Sequence, residues 1–384
     1  MRRHVPAVGA LMCLAACSGS TPGGESESST SSGGATVSSG GASSGGASSS
    51  SSGGAGASSS SSSSGGGSST SRASSSSAAA ASSSSGAAGS TASSSTSGGG
   101  DTEVRFVAMG DTGTGSDGQY AIAAQVKQKC DAEGCDFVIL LGDNIYDSGV
   151  QDVQDPQWQE KFELPYQDIN LPFYAVLGNH DYGGNGAGYE WSLGPVEVEY
   201  TQHSDKWNMP ATHYTWAEGH VGFIALDTNS IMWANTNHGD QTEWIGPALA
   251  QLNTTWRIAL GHHPYLSNGP HGNAGSYDGV PFVPVANGAN VKEFFDEHIC
   301  GAVDVYLCGH DHSRQWLQPA AGCALELVVS GAGAKTTEIE GDNPVHYQSD
   351  QKGFLYVVIQ GNQFKGQFIN EDGSVGFERT FTRQ

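Results

Sequence analysis

The 384-residue chain is short of positive charge: 16 Lys and Arg stand against 39 Asp and Glu, a formal net charge of −23. That shortage excludes functions built on phosphate-backbone contacts, because nucleic-acid affinity comes largely from Lys and Arg. It equally argues against direct attraction to an anionic lipid surface. Long apolar runs are scarce too, and residues 5–16 are too short a stretch to cross a bilayer. The cysteines lack zinc-ribbon spacing. Residues 18–100 lack almost everything except Ser, Gly, Ala and Thr, and their charges are Glu25, Glu27 and Arg72. Such a segment cannot bury enough apolar surface to offset the entropy of ordering, and no period in it suggests a repeat architecture.

What is present divides the chain in three. Arg2 and Arg3 precede the apolar stretch, and Leu14-Ala15-Ala16-Cys17 follows it, the layout of a secretory signal. Small residues ending on a cysteine resemble the lipobox of bacterial lipoproteins, in which Cys17 becomes the lipid-modified N-terminus. Residues 1–17 are therefore expected to be a signal. Residues 18–100 are expected to be a disordered tether with a reach of roughly 50 Å as a random coil. Residues 101–384 would be the folded domain. That domain carries about −24, because Arg2 and Arg3 contribute +2 and the tract −1 to the total of −23. The expected location is the bacterial cell envelope, with the anchor on Cys17 as the only membrane contact, or otherwise a secreted or periplasmic protein. In an oxidising compartment Cys130–Cys135 and Cys300–Cys323 are the expected bridges, leaving Cys308 buried at a strand end. Spacing alone leaves other connectivities open.

After residue 100 the texture changes. Apolar runs occupy 104–109, 137–141, 173–177, 221–226, 258–260, 303–307, 325–329 and 354–359, each bounded by Gly, Asp or Asn. They read as strands buried on both faces. Helical spacing lies between several of them, around Ala121, Ala124 and Val126, over 244–252 and over 291–299. Alternating strands and helices imply an α/β protein with largely parallel central strands. Runs at 364–369 and 375–381 read as hairpin strands, so the sheets are expected to be mixed.

Five of these runs stop at Gly and deliver Asp, Asn or His: Gly110-Asp111, Gly142-Asp143-Asn144-Ile145-Tyr146, Gly178-Asn179-His180-Asp181, Gly261-His262-His263 and Gly309-His310-Asp311-His312. A lone ending of this kind is usually a turn. Five in one sheet system point to a metal centre, since strand ends are spatial neighbours and open α/β sheets bind ligands at that edge. Two Asp, one Asn, one Tyr and three His are oxygen and imidazole donors, which suit iron, zinc or manganese and not copper(I) or an iron–sulfur cluster. Seven donors exceed what one catalytic ion with open positions can use, and suit two ions sharing a carboxylate. A phenolate from Tyr146 favours a trivalent ion.

In this order the five blocks resemble the metal-ligand blocks of the purple acid phosphatases, most closely the small tartrate-resistant type within the metallophosphoesterase superfamily. The similarity continues through Lys206-Trp207-Asn208-Met209-Pro210, Leu226-Asp227-Thr228 and residues 241–244, and so covers nearly all of 104–381. Many superfamily relatives place Asp-x-His in the first block; here Asp111-Thr112-Gly113 stands there and Tyr146 is supplied instead. The resemblance implies a sandwich of two mixed β-sheets flanked by helices, with the metal site at the carboxyl ends of the strands. It implies Asp111, Tyr146 and His312 on Fe(III), Asp143 bridging, and Asn179, His262 and His310 on a divalent ion (Fe, Zn or Mn). His180 and His271 would face the substrate as catalytic residues. His263 departs from the pattern, where small mammalian-type enzymes tend to have Tyr. The implied activity is acid hydrolysis of phosphate monoesters by attack of a metal-bound hydroxide. A phosphodiesterase, nucleotidase or phosphoprotein phosphatase would use the same centre. A non-enzymatic binding lipoprotein would show lost ligands, and none is missing. His203, His213, His220, His238, His298 and His346 are expected to be ordinary surface or core residues. Trp191, Tyr200, Trp207, Tyr214 and Trp216 are expected in the core, walling the pocket being the alternative, and the Gly-rich loop 183–188 is expected as a mobile rim over the site.

Overall fold

The computed structural model describes residues 103–383. The signal, Cys17 and tether expectations lie outside the described residues. One sheet comprises β1 (Val104–Met109), β2 (Phe137–Leu141), β3 (Phe173–Val176) and β4 (Trp207–Asn208), with β12 (Gly353–Gln360), β13 (Gln363–Asn370) and β14 (Val375–Thr382) completing it. The other comprises β5 (Tyr214–Glu218), β6 (Val221–Ala225), β7 (Trp256–Leu260), β8 (Val305–Cys308), β9 (Arg314–Leu317), β10 (Glu326–Ser330) and β11 (Val345–Ser349). Their orders are β14-β13-β12-β1-β2-β3-β4 and β11-β9-β10-β8-β7-β6-β5. Four adjacent strands run parallel in each, β1 to β4 and β6-β7-β8-β10, and antiparallel strands flank them. The architecture is thus a sandwich of two mixed sheets, as expected.

The double burial of the central runs has a direct cause. In β7 and β8, Ile258, Leu260, Val305 and Leu307 face the partner sheet, while Ala259, Tyr306 and Cys308 face a second core under helices Ala289–Phe294 and Gln241–Gln251. Alternate side chains point to opposite faces, so a strand covered on both sides must be apolar throughout. Phe106, Phe137 and Phe223 interlock between the sheets at ring distances of 5.4–5.5 Å, each burial contributing about 1.5–3 kcal/mol.

Strands β4, β5, β9 and β11 carry no apolar run. β4 has two residues, and β11 alternates half-buried and exposed positions at a sheet edge. β9, Arg-Gln-Trp-Leu, is buried although polar. Its Arg314 guanidinium is satisfied by the carbonyls of Gln351 and Ile369 and by Ser349. The helix expected over 291–299 begins at Ala289 and widens into a looser turn over Phe295–Ile299. Cys130–Cys135 and Cys300–Cys323 are bridged, and Cys308 is buried and free. Trp207, Tyr200 and Tyr214 lie in the core, and Trp216 stacks on Tyr174 at 4.3 Å.

The parallel strands of both sheets deliver their carboxyl ends to one crevice. Gly110 N donates to Ser330 O (2.8 Å) and Ser330 Oγ to Ala108 O (2.9 Å), which fastens the two sheets together at that edge.

Candidate metal centre

Each strand end turns sharply to aim a side chain inward. Asp111, Asp143 and His310 adopt φ of 59°, 52° and 70°, the left-handed region that non-Gly residues avoid at a cost of ~1–3 kcal/mol. Backbone donors hold two of those carboxylates: His310 N donates to Asp111 Oδ2 (2.9 Å), and His180 N to Asp143 Oδ1 (2.9 Å). Gly178 is required beside them, because a Cβ there would lie 2.2 Å from Asp143 Oδ1.

All seven residues expected as metal ligands come together. Donor atoms of Asp111, Asp143 and His262 lie within 4.8 Å of one another, and all three side chains are buried. Tyr146 Oη is 2.9 Å from Asp111 Oδ1, 2.7 Å from Asp143 Oδ2 and 3.3 Å from His312 Nε2. On the other side, His262 Nε2 is 3.0 Å from Asn179 Oδ1, 3.2 Å from His310 Nδ1 and 3.4 Å from Asp143 Oδ1. The donors therefore form two adjoining groups that share Asp143, with one of its oxygens in each.

This arrangement fits metal ions. His262 Nδ1 donates to Leu141 O (2.9 Å), which leaves Nε2 to carry a metal ion or a proton. Asn179 Nδ2 donates to Gly186 O (2.8 Å), which turns Oδ1 toward it. Nε2 thus faces a carboxylate, an amide oxygen and an imidazole nitrogen, acceptors that call for a metal ion or a proton at Nε2. At the other subsite one phenolic proton serves two carboxylate oxygens. Burial, then the carboxylates of Asp111 and Asp143, push the Tyr146 phenol well above its ordinary range, so its ionisation calls for a bound cation. Burial opposes charge on His262, but Asp143 and Asp111 override it and raise the imidazole to about 9. Burial and the imidazoles of His271, His263 and His262 hold His310 well below its usual value, neutral as a ligand must be.

His180 and His271 stand beside the donors. The His180 ring lies 4.4 Å from that of Tyr146, and its Nδ1 donates to Asp147 O (2.7 Å). The His271 ring stacks on His310 at 4.0 Å, and its Nδ1 is 2.8 Å from Asp278 Oδ1. Burial works against the His271 imidazolium, but Asp278 and Asp311 raise it. None of His203, His213, His220, His238, His298 and His346 hydrogen-bonds to the seven donors. Loop 183–188 borders the site, pinned by Asn229 Nδ2 to Gly188 O (2.9 Å) and by Gly184 N to Glu190 Oε1 (2.7 Å), and its Gly186 carbonyl orients Asn179.

Two residues of the quoted sequence blocks have supporting roles that the sequence reading did not assign. Thr228 Oγ1 accepts from His262 N (3.1 Å) and His263 N (3.0 Å), so its own hydrogen goes to His263 Nδ1 (2.9 Å). His263 is therefore a buried neutral residue behind His262 and His310. Asp181 accepts from Gly178 N (2.8 Å) and Ile145 N (2.9 Å), tying the β2 and β3 ends together around Asp143. Its position in the Gly-Asn-His-Asp block was the available signal.

Residues 104–314 match the calcineurin-like phosphoesterase family. The chain belongs to that family. It is 28% identical over 320 residues to human tartrate-resistant acid phosphatase type 5, covering 73% of this chain and 91% of that relative. It is 28% identical over 301 residues to purple acid phosphatase 17 of Arabidopsis thaliana, covering 73% and 82% respectively. The solved purple acid phosphatase PPD1 of yellow lupin shares the fold with a TM-score of 0.57 at 20% identity, covering 74% of this chain and 54% of that one.

Proposed function

We propose that this protein is a dinuclear metal-dependent acid phosphatase acting on phosphate monoesters. Its family and its acid phosphatase relatives support the phosphatase assignment. The observation that carries the mechanism is the division of Asp143, with Oδ2 among Asp111, Tyr146 and His312 and Oδ1 against His262. One carboxylate serving two donor groups is what a pair of adjacent ions requires. Asp111, Tyr146 and His312 would hold a ferric ion, and Asn179, His262 and His310 a divalent one (iron, zinc or manganese). When bound, such a pair neutralises phosphoryl oxygens and makes water a competent nucleophile near neutral pH.

The chain's own residues do the rest. Asp278 holds one ring nitrogen of His271, which leaves Nε2 to meet the substrate. His180 is fixed in the same way by the Asp147 carbonyl. These two imidazoles would stabilise charge at the phosphoryl group, and one would protonate the leaving oxygen. The catalytic domain would be residues 101–384, exported and held on its tether by a lipid on Cys17. Among the described residues no helix is long and apolar enough to cross a membrane.

The test is hydrolysis of an aryl phosphate monoester, with the matching diester in parallel, by protein loaded with iron and zinc. Metal-dependent turnover favouring the monoester is expected. A faster diester reaction would move the assignment to a phosphodiesterase on the same centre. For the anchor, fatty-acid labelling that vanishes in Cys17→Ser is expected, and an unlabelled parent would end that part.

A further inference from the structure

Lys335 lies on the segment after β10, between two bonds that bracket it tightly. Gly333 N donates to Gly110 O (3.2 Å), the residue before Asp111, and Thr337 N donates to His312 O (3.0 Å). The half-buried Lys335 ammonium sits 3.4 Å from the centroid of the Tyr146 ring, whose hydroxyl joins the donor cluster. Every other described lysine donates to a protein oxygen. Lys335 has no such partner among the described residues, in a chain with 39 carboxylate side chains. An aromatic face attracts an ammonium without engaging its three N–H donors in ordinary hydrogen bonds. The donors of Lys335 thus stay available at the edge of the site.

We propose that Lys335 is a substrate-binding residue that contacts the phosphoryl group and favours dianionic monoesters over monoanionic diesters. The proposal rests on the phosphatase reading above and names a residue for its substrate preference. A compact ammonium makes charge-assisted hydrogen bonds to phosphoryl oxygens. Its Coulombic attraction to a dianion is roughly twice that to a monoanion at equal distance.

The experiment compares the full chain with Lys335→Gln and Lys335→Arg, all loaded with iron and zinc, with inorganic phosphate as the calorimetric probe. Lys335→Gln is expected to weaken phosphate binding roughly tenfold, the loss of one hydrogen bond between charged groups. Its KM for the aryl monoester should rise by about as much while kcat stays within about threefold, the signature of lost uniform binding. The diester KM should change less than about twofold, and Lys335→Arg should keep phosphate affinity within about threefold of the parent. Unchanged phosphate affinity in Lys335→Gln would overturn the proposal. So would lost metal in both variants, which would make Lys335 a structural support of Tyr146. Equal losses on both esters would refute the preference for dianions. A parent that binds phosphate but hydrolyses neither ester would sink the phosphatase reading, while its phosphate affinity against that of Lys335→Gln would still decide whether Lys335 binds phosphate.

Discussion

Tyr146 keeps its phenolic proton between two carboxylates unless a cation displaces it, because an ionised ring there would add a third buried negative charge. Under the proposed function, metal binding and phenolate formation would therefore be one event at this residue. Tyr146→Phe in iron-loaded protein should abolish visible phenolate-to-iron absorption and leave the far-UV circular dichroism intact; an unchanged visible spectrum would remove Tyr146 from the ligand set. His271 differs from the donors in its pairing with Asp278. His271→Ala should lower turnover by roughly 10²–10⁴, the range of a lost general acid, with both metals retained. Metal loss in that variant, measured by elemental analysis, would make the residue a ligand or a support.

At the scale of elements, the site depends on how five strand ends turn. The turn after β3 passes so close to Asp143 that only glycine fits at position 178. Gly178→Ala should push the Asp143 carboxylate aside, lower the metal content below two per chain and reduce thermal stability; full metal occupancy with an unshifted melting temperature would show that the turn can yield. The Cys300–Cys323 bridge closes a separation of 23 residues between the end of the last helical segment and the approach to β10. Replacing both cysteines with alanine should cost about 2–4 kcal/mol in denaturant unfolding.

For the whole molecule, the acidic balance extends into the core. Glu197 is buried beside Asp181, and burial, then Asp181, hold its carboxyl well above the usual range. Burial likewise raises Asp227. A carboxyl with a raised folded pKa binds its proton more tightly in the folded state than in the unfolded one. Its destabilising effect is absent below the unfolded value of about 4.5 for Glu and grows as pH rises through the folded value. Mild acidification should therefore stabilise the protein. The melting temperature is expected to be higher at pH 5.5 than at pH 8, and Glu197→Gln should shrink that difference. An equal or larger difference in the variant would place the effect elsewhere.

Much of this protein was settled by its sequence alone. Strands buried on two faces must be continuously apolar, so β1, β2, β3, β6 and β7 announce themselves, and the Gly that ends each central run marks where the chain turns toward the crevice. The donor chemistry, without thiolate and with one phenol, is likewise a property of residue types. Strands β9 and β11 were hidden, because an edge position or a buried guanidinium bonded to carbonyls replaces the apolar pattern. What tertiary structure alone decided is how the donors are grouped. Residues from Asp111 to His312 become neighbours only where two sheets present their carboxyl ends to one crevice, and only there do the two oxygens of Asp143 take different partners. Thr228, Asp181 and Lys335 belong to the same class: the first two stand in recognisable blocks of the sequence, but the roles of all three come from contacts made across separate segments.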